Sequence, residues 1–260
     1  MSIEEIIESW KRSRAISPCI TDLRIFKKRE GQYRPFPKFI HPIIREALGT
    51  EGIEQLYSHQ VEAIEAVHEG RDIVVVSPTA SGKTLCYNLP VLNTKLEMPS
   101  SKAFYLFPTK ALSQDQMFEL QSFIQRIEKP ITTFTYDGDT PQDARQAIRT
   151  QGDIVITNPD MLHTGILPHH TKWMNFFQNL KFVVIDELHT YRGVFGSHMT
   201  NVLRRLDRIC RFYGSRPQFI CCSATIANPK ELAEKLLERD VFLVDQNGAP
   251  SPEKIFIFYN

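Results

Sequence analysis

Residues 77–84 read Ser77-Pro78-Thr79-Ala80-Ser81-Gly82-Lys83-Thr84 and follow the apolar run Ile73–Val76. A loop between a strand and a helix can turn successive backbone N–H groups towards a phosphate chain, and the helix N-terminus adds a favourable dipole. Thr79, Ala80, Ser81 and Gly82 would supply those groups, Lys83 would pair with the β and γ phosphates of a nucleotide, and the Thr84 hydroxyl would ligate magnesium. Ser77 replaces the first glycine of the full Gly-x-x-x-x-Gly-Lys-Ser/Thr pattern, so Gly82-Lys83-Thr84 carries the signal.

A second run, Phe182-Val183-Val184-Ile185, delivers Asp186-Glu187-Leu188-His189. Two carboxylates at the end of a buried strand are costly to desolvate unless a cation sits between them and the phosphates. Magnesium supplies that charge. Asp186 would hold the metal, and Glu187 would orient and deprotonate an attacking water. Phosphoryl transfer to another substrate needs no water-activating carboxylate there, so Glu187 favours hydrolysis. His189 is a weaker catalytic candidate, because a lone histidine is more often a surface or capping residue. Ser223-Ala224-Thr225 closes another apolar run, Phe219–Cys222. Alone it is a polar strand end; beside the acidic pair, Ser223 and Thr225 could hydrogen-bond it and couple nucleotide state to another surface.

Positioning these groups requires strands that end on one rim. Strands are expected at Ile73–Ser77, Ala103–Phe107, Ile131–Thr135, Ile154–Thr157, Phe182–Ile185, Phe219–Cys222 and Val241–Val244. Several are continuously apolar, as strands covered on both faces should be. Helical patterns at Lys83–Leu92, Ser113–Ile127, Thr140–Arg149, His198–Tyr213 and Pro229–Leu237 alternate with them. The rhythm predicts an α/β fold with an open, mainly parallel sheet, and ligands of such sheets bind beyond the strands' carboxyl ends. Residues 1–50 read as an extension with a helix at Ile3–Arg14 and a basic, irregular stretch at Arg24–Pro37. Residues 51–245 read as one ATP-binding domain, and 246–260 as a linker carrying Asn247-Gly248 and two prolines.

The net charge is only +1, so any nucleic-acid contact must come from a local arrangement rather than bulk charge. Cys19, Cys86, Cys210, Cys221 and Cys222 form no CxxC pair, which argues against zinc or a disulfide framework and for reduced thiols in the cytosol. The acidic, amphipathic start is no signal peptide, and no apolar run approaches the roughly 20 residues that cross a bilayer.

Across residues 50–245 the sequence resembles the superfamily 2 helicases of the DEAD/DEAH-like group. Six segments occur in that group's order: Tyr57-Ser58-His59-Gln60, Ser81–Thr84, Pro108-Thr109-Lys110-Ala111-Leu112, Thr157-Asn158-Pro159-Asp160, Asp186–His189 and Ser223–Thr225. The resemblance implies a RecA-like fold of about seven strands and ATP selected by Gln60 with Tyr57. It also implies one nucleic-acid strand held at Pro108, Thr109, Lys110, Thr157, Asn158 and Pro159. Gly138 and Asp139, at another strand end, are candidates for the same contact, since glycine lets a backbone come close. Read without the resemblance, each of these loops is equally well turn chemistry.

The stretches Asp186–His198 and Thr157–His163 resemble the bacterial mitomycin-repair-factor helicases and their fungal RecQ-like relatives. That branch implies 3′-to-5′ DNA unwinding in repair, single-stranded or tailed DNA as partner, a second RecA-like domain and a C-terminal zinc domain. It places the protein in bacterial cytoplasm or nucleoid, or in the nucleus of a eukaryote. Neither further domain fits within 260 residues, so the chain reads as half of an ATPase, nearly inactive alone. An RNA helicase, a double-stranded DNA translocase and a nucleotide-gated binding module are the alternatives. Phe195, between Gly193 and Gly196 in an expected loop, could assist strand separation or domain closure, or could be packing.

Overall fold

The structure is a computed structural model that describes residues 3–260. Met1 and Ser2 of the expected N-terminal extension lie outside the described residues. The chain runs through α1 (Ile3–Arg12), β1 (Ile20–Phe26), β2 (Tyr33–Arg34), α2 (Pro42–Gly49), β3 (Leu56–Tyr57), α3 (Ser58–His68), β4 (Ile73–Val76) and α4 (Lys83–Glu97). It continues with β5 (Lys102–Leu106), α5 (Lys110–Ile127), β6 (Thr133–Thr135), α6 (Gln142–Gln151), β7 (Ile154–Thr157), α7 (Pro159–Met161) and α8 (Met174–Gln178). β8 (Leu180–Ile185), α9 (Gly193–Phe212), β9 (Gln218–Ser223), α10 (Pro229–Leu237), β10 (Phe242–Val244) and β11 (Lys254–Tyr259) complete it.

All seven strands expected for the main sheet form it, in the order β10-β4-β9-β8-β5-β7-β6, every neighbour parallel. Alternate residues feed two cores. Val75, Tyr105, Ile156, Val184 and Cys222 face one, with α2 to α5. Val74, Phe104, Val155, Val183 and Cys221 face the other, with α8 to α10. Four cysteine thiols are buried in these layers, and burial pushes those of Cys86 and Cys210 up to about 12.

Residues 33–248 form one compact unit, so it begins earlier than the expected boundary at residue 50. The reason is apolar: Ile40, Ile44, Ala47 and Leu48 are buried in the first core. The residues up to Gln32 and Ala249–Asn260 form a second unit. There β1 and β11 pair antiparallel, from Ile20 opposite Tyr259 to Phe26 opposite Lys254. Part of the stretch expected to be irregular is therefore strand, and the expected linker contains its partner. Phe26 meets Phe256 edge-on at 5.3 Å, a contact that favours this register.

At the amino ends of the central strands Asp153 binds two lysines. Its Oδ1 accepts from Lys95 at 2.6 Å and Lys102 at 3.0 Å, and its Oδ2 accepts from the Thr132 N–H at 2.9 Å. Burial by itself raises the carboxyl's pKa, but Lys95, the Thr132 N–H and Lys102 outweigh it and hold the group below its usual value. The cluster ties α4, β5 and β7 together at the end of the sheet opposite the candidate site. Asp153→Asn leaves two buried ammonium groups with no counter-charge and should cost about 3–5 kcal/mol in denaturant unfolding near neutral pH. A depressed folded pKa stabilises above the unfolded value of about 3.9 and is lost as pH falls through the folded value, so the wild-type advantage should fade only in acid. Equal midpoints at pH 7 would contradict the role given to the cluster.

Candidate active site and strand-facing loops

The parallel register brings the strand ends level. Val76 pairs with Ser223, Ile185 with Cys221 and Leu106, and Leu106 with Thr157. Ladder bonds run past the strands: Ser77 N–H donates to the Ser223 carbonyl at 3.4 Å, Asp186 to Leu106 at 3.1 Å, and Tyr136 to Ile156 at 2.8 Å. Each functional loop therefore leaves a backbone still anchored in the sheet. The order divides the rim. β4, β9 and β8 carry the phosphate loop, Ser223–Thr225 and the acidic pair, while β5, β7 and β6 carry the other loops.

In the phosphate loop Ala80 and Gly82 have φ of 61° and 77°, so the chain turns through the left-handed region before α4. The Lys83 ammonium donates to the carbonyls of Ser77 at 2.8 Å and Pro78 at 2.9 Å, bonds that phosphate oxygens would replace. The hydroxyls of Ser77 and Ser81 lie 2.5 Å apart, which gives Ser77 a use that glycine could not serve. Thr79 is exposed, and Thr84 is half-buried at the start of α4.

Gln60 is used on both sides. Its Oε1 accepts from the Tyr57 N–H at 2.9 Å, closing the start of α3, and its Nε2 donates to the Gly82 carbonyl at 2.9 Å. Beside it lies a cavity of about 590 Å³ lined by Tyr33, Ile53, Tyr57, Gln60, Gly82 and Leu85. Tyr33 is the residue the sequence did not reveal: it pairs with Tyr57 across β2 and β3, rings 5.3 Å apart. Two-residue strands leave no alternation to read. A planar base would find aromatic and amide groups in this pocket.

Asp186 is 8% exposed, and burial pushes its carboxyl up to about 6; the Glu187 N–H at 2.8 Å and the Lys83 charge oppose that, and the Glu187 charge adds to it. A buried carboxylate, with the Thr84 hydroxyl at the start of α4, is the kind of partial shell that magnesium would complete with phosphate oxygens and water. Glu187 sits at φ 51°, a conformation that costs a non-glycine residue about 1–3 kcal/mol. His189 Nδ1 stands 3.1 Å from Glu187 Oε2 and 3.4 Å from the Ala224 N–H. Protonated, that nitrogen donates to Glu187; bare, it accepts from Ala224. The acidic pair thus meets the Ser223–Thr225 segment through a backbone N–H, not through the two hydroxyls. Ser223 Oγ instead donates to the Ala224 carbonyl at 2.8 Å, and Thr225 is exposed.

On the other half of the rim Thr109 and Asn158 cap α5 and α7, accepting from the N–H groups of Leu112 at 3.4 Å and Met161 at 2.8 Å. Pro108 is half-buried and Pro159 buried. Thr157 is 1% exposed and its hydroxyl donates to the Tyr136 carbonyl at 2.6 Å, so it braces the neighbouring loop instead of facing outwards. Lys110 and Asp139 are exposed and bonded to each other at 2.5 Å, and Gly138 has open space around it. Gly193–Gly196, expected as a loop, is the first turn of α9; Phe195 is 39% exposed and packs on Tyr191 at 5.2 Å.

A Cβ at Gly82 would lie 2.6 Å from Gln60 Nε2 on a backbone already at positive φ. Gly82→Ala should therefore raise the Kd for an ATP analogue at least about tenfold, roughly 1.4 kcal/mol, in titration calorimetry. An unchanged Kd would contradict the coupling of Gln60 to the phosphate loop.

The model of the DEAD/DEAH box helicase family matches residues 57–232. The uncharacterized ATP-dependent helicase YprA of Bacillus subtilis is 61% identical over 232 residues, 89% of this chain and 31% of that protein. The ATP-dependent helicase HRQ1 of Saccharomyces cerevisiae is 37% identical over 264 residues, covering 100% of this chain and 24% of its own length. The crystal structure of the DUF1998 helicase MrfA bound to DNA and AMPPNP superposes with a TM-score of 0.96 at 56% identity, over 100% of this chain and 36% of that one. The chain thus spans about a third or less of each of these three relatives. The seven-stranded parallel sheet is that of a RecA-like helicase domain, and the chain belongs to the DEAD/DEAH box helicase family.

Proposed function

We propose that this chain is the ATP-binding motor domain of a DNA helicase, which binds a nucleotide on one half of its sheet rim and one nucleic-acid strand on the other. The carrying observation is that buried Asp186 lies within reach of the Lys83 charge at the end of β8, next to β5, whose loop offers Thr109 and Lys110 to solvent. Magnesium supplies Lewis acidity and charge neutralisation when held by Thr84 and Asp186 with the phosphates. Lys83 leaves the Ser77 and Pro78 carbonyls for the phosphates. Glu187, braced by His189, orients water and takes its proton. Gln60 and the two tyrosines receive the base.

Phosphate contacts fix a strand without reading its sequence. Lys110, released from Asp139, and the N–H groups at the starts of α5 and α7 serve that purpose, with Thr157 and Pro159 holding the loops in place. DNA is preferred over RNA because MrfA, 56% identical, is solved with DNA. Unwinding from 3′ to 5′, a role in DNA repair and a compartment that holds DNA follow from that likeness alone. No helix among the described residues is long and apolar enough to cross a membrane.

The relatives' greater length supports a second RecA-like domain and a zinc domain as partners of this one. Arginines from a second domain contribute about 10³–10⁵ in turnover where such fingers are used. Hydrolysis by the 260-residue chain should accordingly stay near that of its Glu187→Gln variant, with or without single-stranded DNA, while both bind nucleotide. Brisk, DNA-stimulated turnover abolished by Glu187→Gln would keep the catalytic assignment and overturn the need for a second domain.

A further inference from the structure

Beyond the edge strand β6 the rim carries a cleft of about 740 Å³, apart from the nucleotide site and bordering the Gly138 loop. Tyr136 and Thr140, which bracket the Gly138 loop, form one wall; Arg145 and Arg149 from α6, Thr164 and Lys172 form much of the rest. Acidic and basic residues are almost equal in number in this chain, 30 against 31, yet no carboxylate lines the cleft. Neither arginine nor Lys172 takes part in an ion pair among the described residues. The nearby Asp137 carboxylate is engaged within its own loop, accepting from the Asp139 N–H at 2.9 Å and the Thr140 hydroxyl at 3.2 Å.

The three cations differ in what already holds them. Arg145 lies over the Tyr136 ring at 5.5 Å and donates to the carbonyls of Thr140 at 3.0 Å, Asp137 at 3.4 Å and Gly138 at 3.5 Å. It is a brace that fixes the loop. Arg149, one turn further along α6 and half-buried, and exposed Lys172 are bound by no such bonds among the described residues and keep their donors for a ligand. A cleft with cations, hydroxyls and no acid suits an anion with several acceptor oxygens, and a guanidinium beside an ammonium suits phosphate.

We propose that this cleft binds phosphodiester groups of the same nucleic-acid strand, one step outward from the Gly138 loop, with Arg149 and Lys172 as the phosphate donors and Arg145 as the positioning residue. It rests on the nucleic-acid reading above. A strand crossing the loops of β5, β7 and β6 in sheet order runs next onto this wall, because Tyr136 and Thr140 belong to both. The cleft lengthens the track and makes up locally for the lack of bulk positive charge.

The test is binding of a fluorescent single-stranded oligodeoxythymidylate to the 260-residue chain, by anisotropy, from about 50 to 200 mM salt, where each phosphate contact on a single strand contributes about −0.7 to the log–log slope. Arg149→Ala with Lys172→Ala should flatten the slope by about 1.4 and weaken binding roughly tenfold at the higher salt. The charge-conserving Arg149→Lys with Lys172→Arg should keep most of both, and ATP-analogue affinity should be unchanged in each variant. Wild-type binding with the same affinity and slope in the alanine double variant overturns the cleft assignment alone. No binding by wild type overturns the nucleic-acid reading and the cleft with it. Competition by inorganic phosphate at matched ionic strength would make the cleft a free-phosphate site and overturn the strand assignment; no competition is expected.

Discussion

Asp186 ends a central strand with its carboxylate almost out of contact with water, and burial alone pushes it towards the neutral form. Such a group is tolerated because two things oppose that push: the Glu187 N–H and the charge of Lys83 at the start of α4. A divalent cation would complete the compensation. Most of the domain can be understood as the means of holding this carboxylate where a nucleotide's metal would sit. β9 lies between β4 and β8 and sets the spacing of loop and acid. Glu187, next along the chain, takes a left-handed backbone and lies 3.1 Å from His189 Nδ1. The Asp153 cluster locks the opposite ends of the neighbouring strands.

The same sheet order would let one domain serve the two ligands proposed for it. β8 and β5 are neighbours, so the last strand of the nucleotide half touches the first of the other half, and Asp186 N–H donates to the carbonyl of Leu106. From there each loop is braced by the next: Thr157 bonds Tyr136, and Arg145 bonds the carbonyls around Gly138. Thr157, expected at the nucleic-acid strand, is such a brace in this structure. Gln60 and Ser223 also spend their polar atoms inside the protein in this state.

The sheet was largely legible in sequence because strands buried on both faces are written as continuous apolar runs; all seven were found, with ends shifted by a residue or two. The phosphate loop and the acidic pair were legible because their chemistry needs fixed neighbours, Gly82-Lys83-Thr84 and Asp186-Glu187. What was not legible depends on distant partners. β1 and β11 pair across more than two hundred residues and are mostly exposed, so neither shows a strong pattern. Tyr33 joins the cavity beside Gln60 through a two-residue strand. Thr157 faces inwards although its motif suggests an outward hydroxyl. Gly193 and Gly196 read as a loop, but Gly196 is small for packing: a Cβ there would meet the Tyr191 carbonyl at 2.6 Å inside a helical turn.

The central claim is that Asp186 is a buried carboxylate completed by nucleotide-bound magnesium. The direct measurement is the affinity of a non-hydrolysable ATP analogue with magnesium and with excess chelator, for wild type and Asp186→Asn. In wild type, magnesium should tighten binding by about tenfold or more, since without it the carboxylate faces the phosphates with no cation between them. Asp186→Asn should bind the analogue nearly equally in both conditions. The same magnesium dependence in the two proteins would contradict the account.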